Sequence, residues 1–322
     1  MGRPPSLARI WLALGTVYLV WGSTYLAIRV AVHPSHGQGL PPLLLAGVRF
    51  TLAGLIMLAF AVRRPAADRR PDPLGRRQWF AAALIGLALP FGGNGLVTVA
   101  ERKVPSGTAA VIVATIPIWA ALIAAAIGRE RMGARHVIGL ALGFTGVAAM
   151  VVGTGNGKAS LAGILITVVA ALSWASGTVY STNAPTTRRP LVATGMEMLC
   201  GGVACLVVAA VTGEFGGLHR YEFTAHAWLA FGYLTVFGSI IAYTAYIWLL
   251  RNAELSLVTT YAFVNPVVAV ILGSLVLNEA FTLRSAVATF AVVAGVVLML
   301  LRIPARPVPP ELPAPAPDEV HA

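Results

Sequence analysis

Two full charges stand inside otherwise apolar runs of this sequence, Arg49 and Glu197. A charge in hydrocarbon costs at least about 2.5 kcal/mol unless it is paired or hydrated. Such a residue therefore marks a solute or proton path, or a bond that holds helices together. Glu197 is a candidate carrier of a coupling proton, because buried carboxyls hold protons tightly. The alternative for both is structural: each bonds a freed carbonyl or a neighbouring helix. They occupy equivalent places, each seven residues after a proline, Pro42 and Pro190. If the two prolines enter from opposite membrane sides, about 10 Å separates the two depths, so pairing is left open.

Polar and aromatic stripes at helical spacing accompany them. Tyr18, Trp21, Tyr25 and Arg29 share one face, and Phe91, Asn94, Thr98 and Arg102 another. Further groups are Ser173, Trp174, Gly177 and Tyr180, then Ser239, Tyr243 and Tyr246, then Tyr261 and Asn265. Such faces can stack on a planar or cationic solute and hydrogen-bond its polar end. Rings near helix ends form an interfacial belt instead, a reading that suits Trp11, Trp79 and Trp228. Pro117 and Pro266 each interrupt an apolar run. Without an N–H, each leaves a carbonyl unpaired four residues back, at Val113 and Ala262. The expected solute-binding set is Trp21, Tyr25, Asn94, Pro117, Trp174, Tyr243, Tyr246, Tyr261, Asn265 and Pro266. Arg49 and Glu197 join it as coupling or structural charges.

Other chemistries find little support. There is no GxSxG and no HExxH, and the six histidines form no ligand set. Cys200 and Cys205 point to different faces of one helix and read as small buried hydrophobes. Gly153 to Ala159 superficially suggests a phosphate-binding loop. It fails, because Val152 and Ala159 stand where glycine and Ser/Thr are required. No cofactor, metal or enzymatic activity is expected.

The elements that must position these residues follow from composition. Of 322 residues, 57% are apolar and only 11% charged. A soluble chain carries roughly 25% charged residues. Runs of about 20 apolar residues, each long enough to cross the bilayer, recur along the chain. The first covers 10–32, and nine more cover 41–62, 79–99, 106–127, 135–153, 161–181, 190–212, 227–249, 256–277 and 284–301. The first is too long for a signal peptide and lacks a cleavage site. The net charge of +11 sits between the runs, so it reflects membrane topology and not nucleic-acid binding. Residues 1–9 are a short basic terminus, and 303–322 are a Pro-rich tail expected to be disordered.

The chain repeats itself. At a shift of 149, Pro117 meets Pro266, Glu130 meets Glu279, Arg135 meets Arg284 and Gly146 meets Gly295. At 148, Pro42, Leu43, Gly47 and Gly54 meet Pro190, Leu191, Gly195 and Gly202. Trp21 meets Trp174 at 153. Five runs per copy is odd, so the second copy enters from the opposite side and the repeats are inverted. With the N-terminus inside, cytoplasmic segments hold sixteen Lys and Arg residues against six outside, which places both termini in the cytoplasm. The expected fold is an all-α integral membrane protein with ten transmembrane helices in two inverted five-helix repeats, 10–153 and 161–301. Inverted repeats with interrupted helices in matching places are a transporter architecture.

On these residues the chain resembles the EamA family of the drug/metabolite transporter superfamily, on the side of its YedA-type exporters. The resemblance rests on Trp21-Gly22-Ser23-Thr24-Tyr25, on Arg49-Phe50, and on Pro117…Glu130…Arg135…Gly146 with its second copy. It spans about 10–301; the Pro-rich tail departs from it. It implies ten helices in two five-helix halves, both termini inside, and export of small metabolites or drugs.

The expected function is a secondary transporter exporting small organic solutes, amino acids or related compounds first, by alternating access. Its partners are a small-molecule substrate, the lipid bilayer and protons as a candidate coupling ion. The rival classes are a lipid-handling or intramembrane enzyme, for which only Glu197 is available, and a passive channel.

Overall fold

The computed structural model describes residues 6–32, 39–63, 74–128, 133–152, 160–216, 218, 223–253, 261–279 and 282–300. The Pro-rich tail, Glu130 and the 153–159 segment lie outside them. The described residues are helical, with no strand among them. In hydrocarbon every backbone N–H and C=O must be satisfied locally, and the helix does this within one segment.

The helices are α1 (Leu7–Val32), α2 (Pro42–Arg63), α3 (Arg76–Ala100), α4 (Ser106–Ala126), α5 (Ala134–Val152), α6 (Leu161–Ser181) and α7 (Pro190–Val211). Then come α8 in three parts (Ala225–Tyr233, Leu234–Ile241 and Ala242–Asn252), α9 (Tyr261–Leu277) and α10 (Leu283–Leu300). Seven of them, α1–α4 and α6–α8, are long and apolar enough to cross a membrane. α5, α9 and α10 contain shorter apolar stretches. Leu12, Val211, Leu229 and Phe290 point outward, each more than 70% exposed. Such a surface suits lipid and not water.

Three helices depart from regular geometry. In α3 the turns widen to a π-helix over Leu87–Gly95, which contains Pro90. Proline supplies no N–H, and the glycines at 92, 93 and 95 hold the α form weakly. α8 widens likewise over Leu234–Ile241. α4 breaks at Ala114-Thr115, where the Thr115 hydroxyl donates to the Ile112 carbonyl at 2.6 Å. Pro117 therefore lies in the first turn of the second half, not within a continuous helix as the sequence suggests. The first turn needs no N–H from it, and the residue before a proline resists the helical conformation. Pro266 sits inside the unbroken α9. The widened turns were not foreseen, although Pro90 was visible.

Two crossings dominate the packing, α2 with α7 and α5 with α10. A Cβ at Gly54 would lie 2.8 Å from the Gly195 carbonyl, and one at Gly202 3.0 Å from the Gly47 carbonyl. At the second crossing a Cβ at Gly146 would meet the Ala288 carbonyl at 2.8 Å, and one at Gly295 the Gly139 carbonyl at 2.5 Å. Each contact recurs with its roles exchanged, as at an interface with twofold symmetry.

Two helix N-termini are capped from elsewhere. Glu214 accepts hydrogen bonds from the backbone N–H groups of Leu43 at 3.3 Å and Leu44 at 2.8 Å, at the start of α2. Glu279 accepts from Ser106 N at 2.9 Å, Ser106 Oγ at 2.8 Å and Gly107 N at 3.3 Å, at the start of α4. Carboxylates there satisfy orphan donors and complement the helix dipole. Glu214→Ala is expected to cost about 1 kcal/mol, read as a lower Tm of the purified protein, with Glu214→Gln recovering part of it.

Candidate functional site

Inside the bundle lies a cavity of about 680 Å³ of empty space, part of it continuous with the surroundings. The first half of the chain contributes Trp21 and Tyr25 from α1, Arg49 from α2 and Asn94 from α3. The second contributes Trp174 from α6, Tyr243 from α8, and Tyr261 with Asn265 from α9. Eight of the twelve residues singled out in the sequence thus share one wall.

Trp21 is its aromatic hub. Its ring centroid lies 5.2 Å from Tyr243, 5.1 Å from Tyr246 and 5.2 Å from Tyr261. Edge-to-face contacts of this kind fix ring orientation. The indole N–H donates to the Gly238 carbonyl at 3.2 Å, in the widened turns of α8. A matching bond runs from Ser173 Oγ on α6 to the Ala88 carbonyl at 2.9 Å, in the widened turns of α3. Both carbonyls at membrane depth are thereby satisfied. Gly93 makes room for Trp174, since a Cβ there would lie 2.5 Å from the indole ring.

Arg49 is 3% exposed and faces this space. Its Nε donates to Ser239 Oγ at 2.8 Å, and its guanidinium carbon sits 4.6 Å from the Phe50 ring centroid. Gly238 lets the guanidinium lie against α8, for a Cβ there would stand 3.2 Å from Nη2. Among the described residues no carboxylate comes within ion-pair reach of Arg49; the ion pair found there is Arg29–Glu279 at 4.0 Å. The chain holds a fixed positive charge beside aromatic rings and two amides.

Four expected residues do not line the cavity. Tyr246 stands behind the hub, against Trp21 and Tyr261 at 5.8 Å. Pro117 and Pro266 leave the lining to their neighbours Ile116 and Asn265. Glu197 belongs to the crossing of α7 with α3, where its own carbonyl would lie 2.4 Å from a Cβ at Gly86. It forms no ion pair with Arg49 among the described residues. Thr24 and Ile28, which continue the Trp21 face by one turn and two, do line the cavity. The 21–24–28 spacing already carried that signal. Trp11, Trp79 and Trp228 are all exposed, away from this wall.

One buried charge was missed. Glu101 follows α3 and has no exposed surface. The sequence puts it in a Glu-Arg-Lys group that looks like a membrane boundary. Yet it lies four residues past Val97 and seven past Asn94, on the face that lines the cavity.

The likeness to known proteins agrees with this geometry. The inner membrane transporter YedA of Escherichia coli (strain K12) is 40% identical over 304 residues, 92% of this chain and 93% of its own length. The transporter YvbV of Bacillus subtilis (strain 168) is 27% identical, covering 90% of this chain and 91% of its own length. A solved crystal structure with a TM-score of 0.58 covers 91% of this chain and 97% of its own, at 20% identity, and so shares the fold. The model of the EamA-like transporter family matches twice, over residues 8–152 and 161–301. A family model that fits both copies, and a 40% identical relative that spans nearly the whole chain, join the cavity in one conclusion: this chain belongs to the EamA-like transporter family.

Proposed function

We propose that the chain is a secondary transporter of the inner membrane that exports small organic acids, amino acids and their relatives first, by alternating access. The observation that carries the substrate class is Arg49. It is a buried guanidinium in a cavity of aromatic rings, with no carboxylate of the described chain beside it. A guanidinium binds a carboxylate through paired hydrogen bonds, and the low dielectric around it strengthens them. The same charge repels cations, so hydrophobic cations, which the aromatic faces alone would suit, are disfavoured. Trp21, Trp174 and Tyr261 would pack on the apolar body of the solute, and Asn94 and Asn265 would bond its remaining polar group.

Alternating access is supported by the paired crossings. Contacts between α2 and α7 and between α5 and α10 repeat with exchanged roles at shifts of 148 and 149. Two inverted five-helix repeats, 10–153 and 161–301, rocking about an axis in the membrane plane would give such a pattern. The cavity takes its lining from both. Both termini would be cytoplasmic, and the inner membrane is the place named for YedA. Energy would come from the solute gradient or from proton exchange.

The test is uptake into proteoliposomes of labelled amino acids beside a panel of drug cations, with and without a pH gradient. Saturable, exchange-stimulated flux of the carboxylates is expected. Asn265→Ala should lower kcat/KM by about five- to tenfold, the size of one lost hydrogen bond. Unsaturable flux would mark a channel. Flux confined to the cations would overturn the substrate class.

A further inference from the structure

At one end of the bundle three charged groups meet where α1, the turn after α3 and the turn after α9 converge. Arg29 Nη1 donates to the backbone carbonyl of Glu101 and, at 3.0 Å, to that of Val104. Its Nε stands 4.0 Å from Glu279 Oε1. Glu279 in turn caps α4 through Ser106 and Gly107. Thus the guanidinium and one carboxylate tie three elements together just beyond Tyr25, Ile28 and Val97 of the cavity lining.

Glu101 is the member without a partner. It is fully buried, and neither carboxyl oxygen has a hydrogen bond among the described residues. The groups that face it are Arg29 and Tyr25 from α1 and Glu279 from the turn after α9. Its neighbours do not help: Arg102 lies toward Glu214, and Lys103 is exposed. The Arg29 bonds go to backbone carbonyls and not to the Glu101 carboxyl. A buried carboxylate that no protein donor reaches is far costlier than the neutral acid. With Glu101 protonated, Arg29 and Glu279 balance each other. With Glu101 ionised, a second negative charge would sit unanswered beside Glu279.

We propose that Glu101 is a proton-binding site that governs closure of this end: Arg29 and Glu279 close it only while Glu101 holds a proton, which is exchanged with water when the end opens. The idea rests on the transport reading for its use, but the site rests on geometry alone. Burial pushes the Glu101 carboxyl well above the usual carboxylate range; Arg29 opposes this and Glu279 reinforces it. The sign follows from linkage. The closed form binds the proton more tightly than the open form, so acid favours closure. That preference fades as pH rises past the ordinary glutamate range toward the raised value. In the orientation proposed above this is the external end. The proton would then bind from the external water after solute release and return to it at the next opening, so the site gates this end and does not itself carry a proton across. The proton moves between water and a carboxyl oxygen, and no other bond changes.

Two readouts on the full chain in proteoliposomes test this without any solute. The first is the infrared C=O stretch of a protonated carboxyl, titrated with pH. Wild type should show the band with a midpoint well above the ordinary glutamate value, and Glu101→Gln should lose it. Glu197→Gln, run alongside, identifies any component from that residue. The second is hydrogen exchange at the start of α4, corrected for intrinsic rate. Protection should fall with rising pH in wild type and become independent of pH in Glu101→Gln. A band unchanged by Glu101→Gln, or protection that keeps its pH dependence in that variant, overturns the proposal. If Glu101→Gln does not fold, Glu101→Asp serves: the band and the protection midpoint should both move, and unmoved values overturn it. Both signatures in a protein that moves no solute would sink the transport reading alone. Solute flux without them would sink this one alone.

Discussion

Arg49→Gln should abolish saturable uptake of carboxylate solutes while leaving the protein folded. Truncating one side of a buried, hydrogen-bonded charge pair costs about 2–5 kcal/mol, a fall of roughly thirtyfold to several thousandfold in kcat/KM. The loss should appear first in KM, because the contact is made in the bound complex and in any barrier that follows it. Arg49→Lys should recover only part. A lysine cannot hold Ser239 Oγ through one donor and present two parallel donors to a carboxylate with the rest, as the guanidinium can from its Nε bond at 2.8 Å. Ser239→Ala should be milder, about 1 kcal/mol or fivefold, since it removes the brace and leaves the charge.

The same variant has a second expected result. With the positive charge gone, the cavity is a set of aromatic faces, and those faces attract cations. Arg49→Gln should admit hydrophobic cations that wild type excludes. Loss of carboxylate flux together with gain of cation flux would separate a selectivity charge from a structural one. Carboxylate uptake unchanged in a folded Arg49→Gln would remove Arg49 from the site.

The distribution of legible and illegible features follows from what each residue needs. Trp21, Asn94, Trp174, Tyr243 and Asn265 could be read from the sequence because a polar or aromatic residue in an apolar run has few reasons to be there, and helical spacing places it on a face. The family could be read because its motifs are local. Glu101 was passed over because distance along the sequence is a poor measure of depth. Glu197, mid-run, has its backbone carbonyl at the crossing of α7 with α3. Glu101, at the end of its run, is sealed because α1 and the turn after α9 close over it. Of the two prolines, Pro117 stands two residues past a real interruption, and Pro266 stands in a helix that is not broken. Pro117 begins a helical half and does not bend one, and only the backbone shows that the break falls at Ala114-Thr115. The widened turns of α3 and α8 depend on what packs beside them, and Trp21 and Ser173 reach their carbonyls from other helices.

Gly54→Val should prevent the bundle from assembling, and Gly54→Ala should weaken it measurably. A Cβ at this position would stand 2.8 Å from both the Gly195 carbonyl oxygen and the Leu199 nitrogen, and 3.2 Å from the Leu199 Cα. All three are backbone atoms of α7, so relief requires moving a helix and not a side chain. Overpacking of this kind costs about 1–3 kcal/mol for a methyl where some give exists, and more for a branched side chain. Lipid gives helices no hydrophobic reason to associate, so close backbone approach through small residues is a main source of their attraction. Separating α2 from α7 by even a fraction of an ångström forfeits much of that attraction along the crossing. Gly15→Val is the matched control, since a Cβ there meets nothing within 4 Å. Thermal unfolding in detergent should show Gly15→Val near wild type, Gly54→Ala several degrees lower, and Gly54→Val without a cooperative transition. The symmetry of the crossing makes the stricter demand. Gly202→Ala, whose Cβ would stand 2.5 Å from Thr51 N and 3.0 Å from the Gly47 carbonyl, should behave as Gly54→Ala does. If Gly54→Ala destabilises and Gly202→Ala does not, the two ends of the crossing are not equivalent, and the paired-repeat reading loses its structural support.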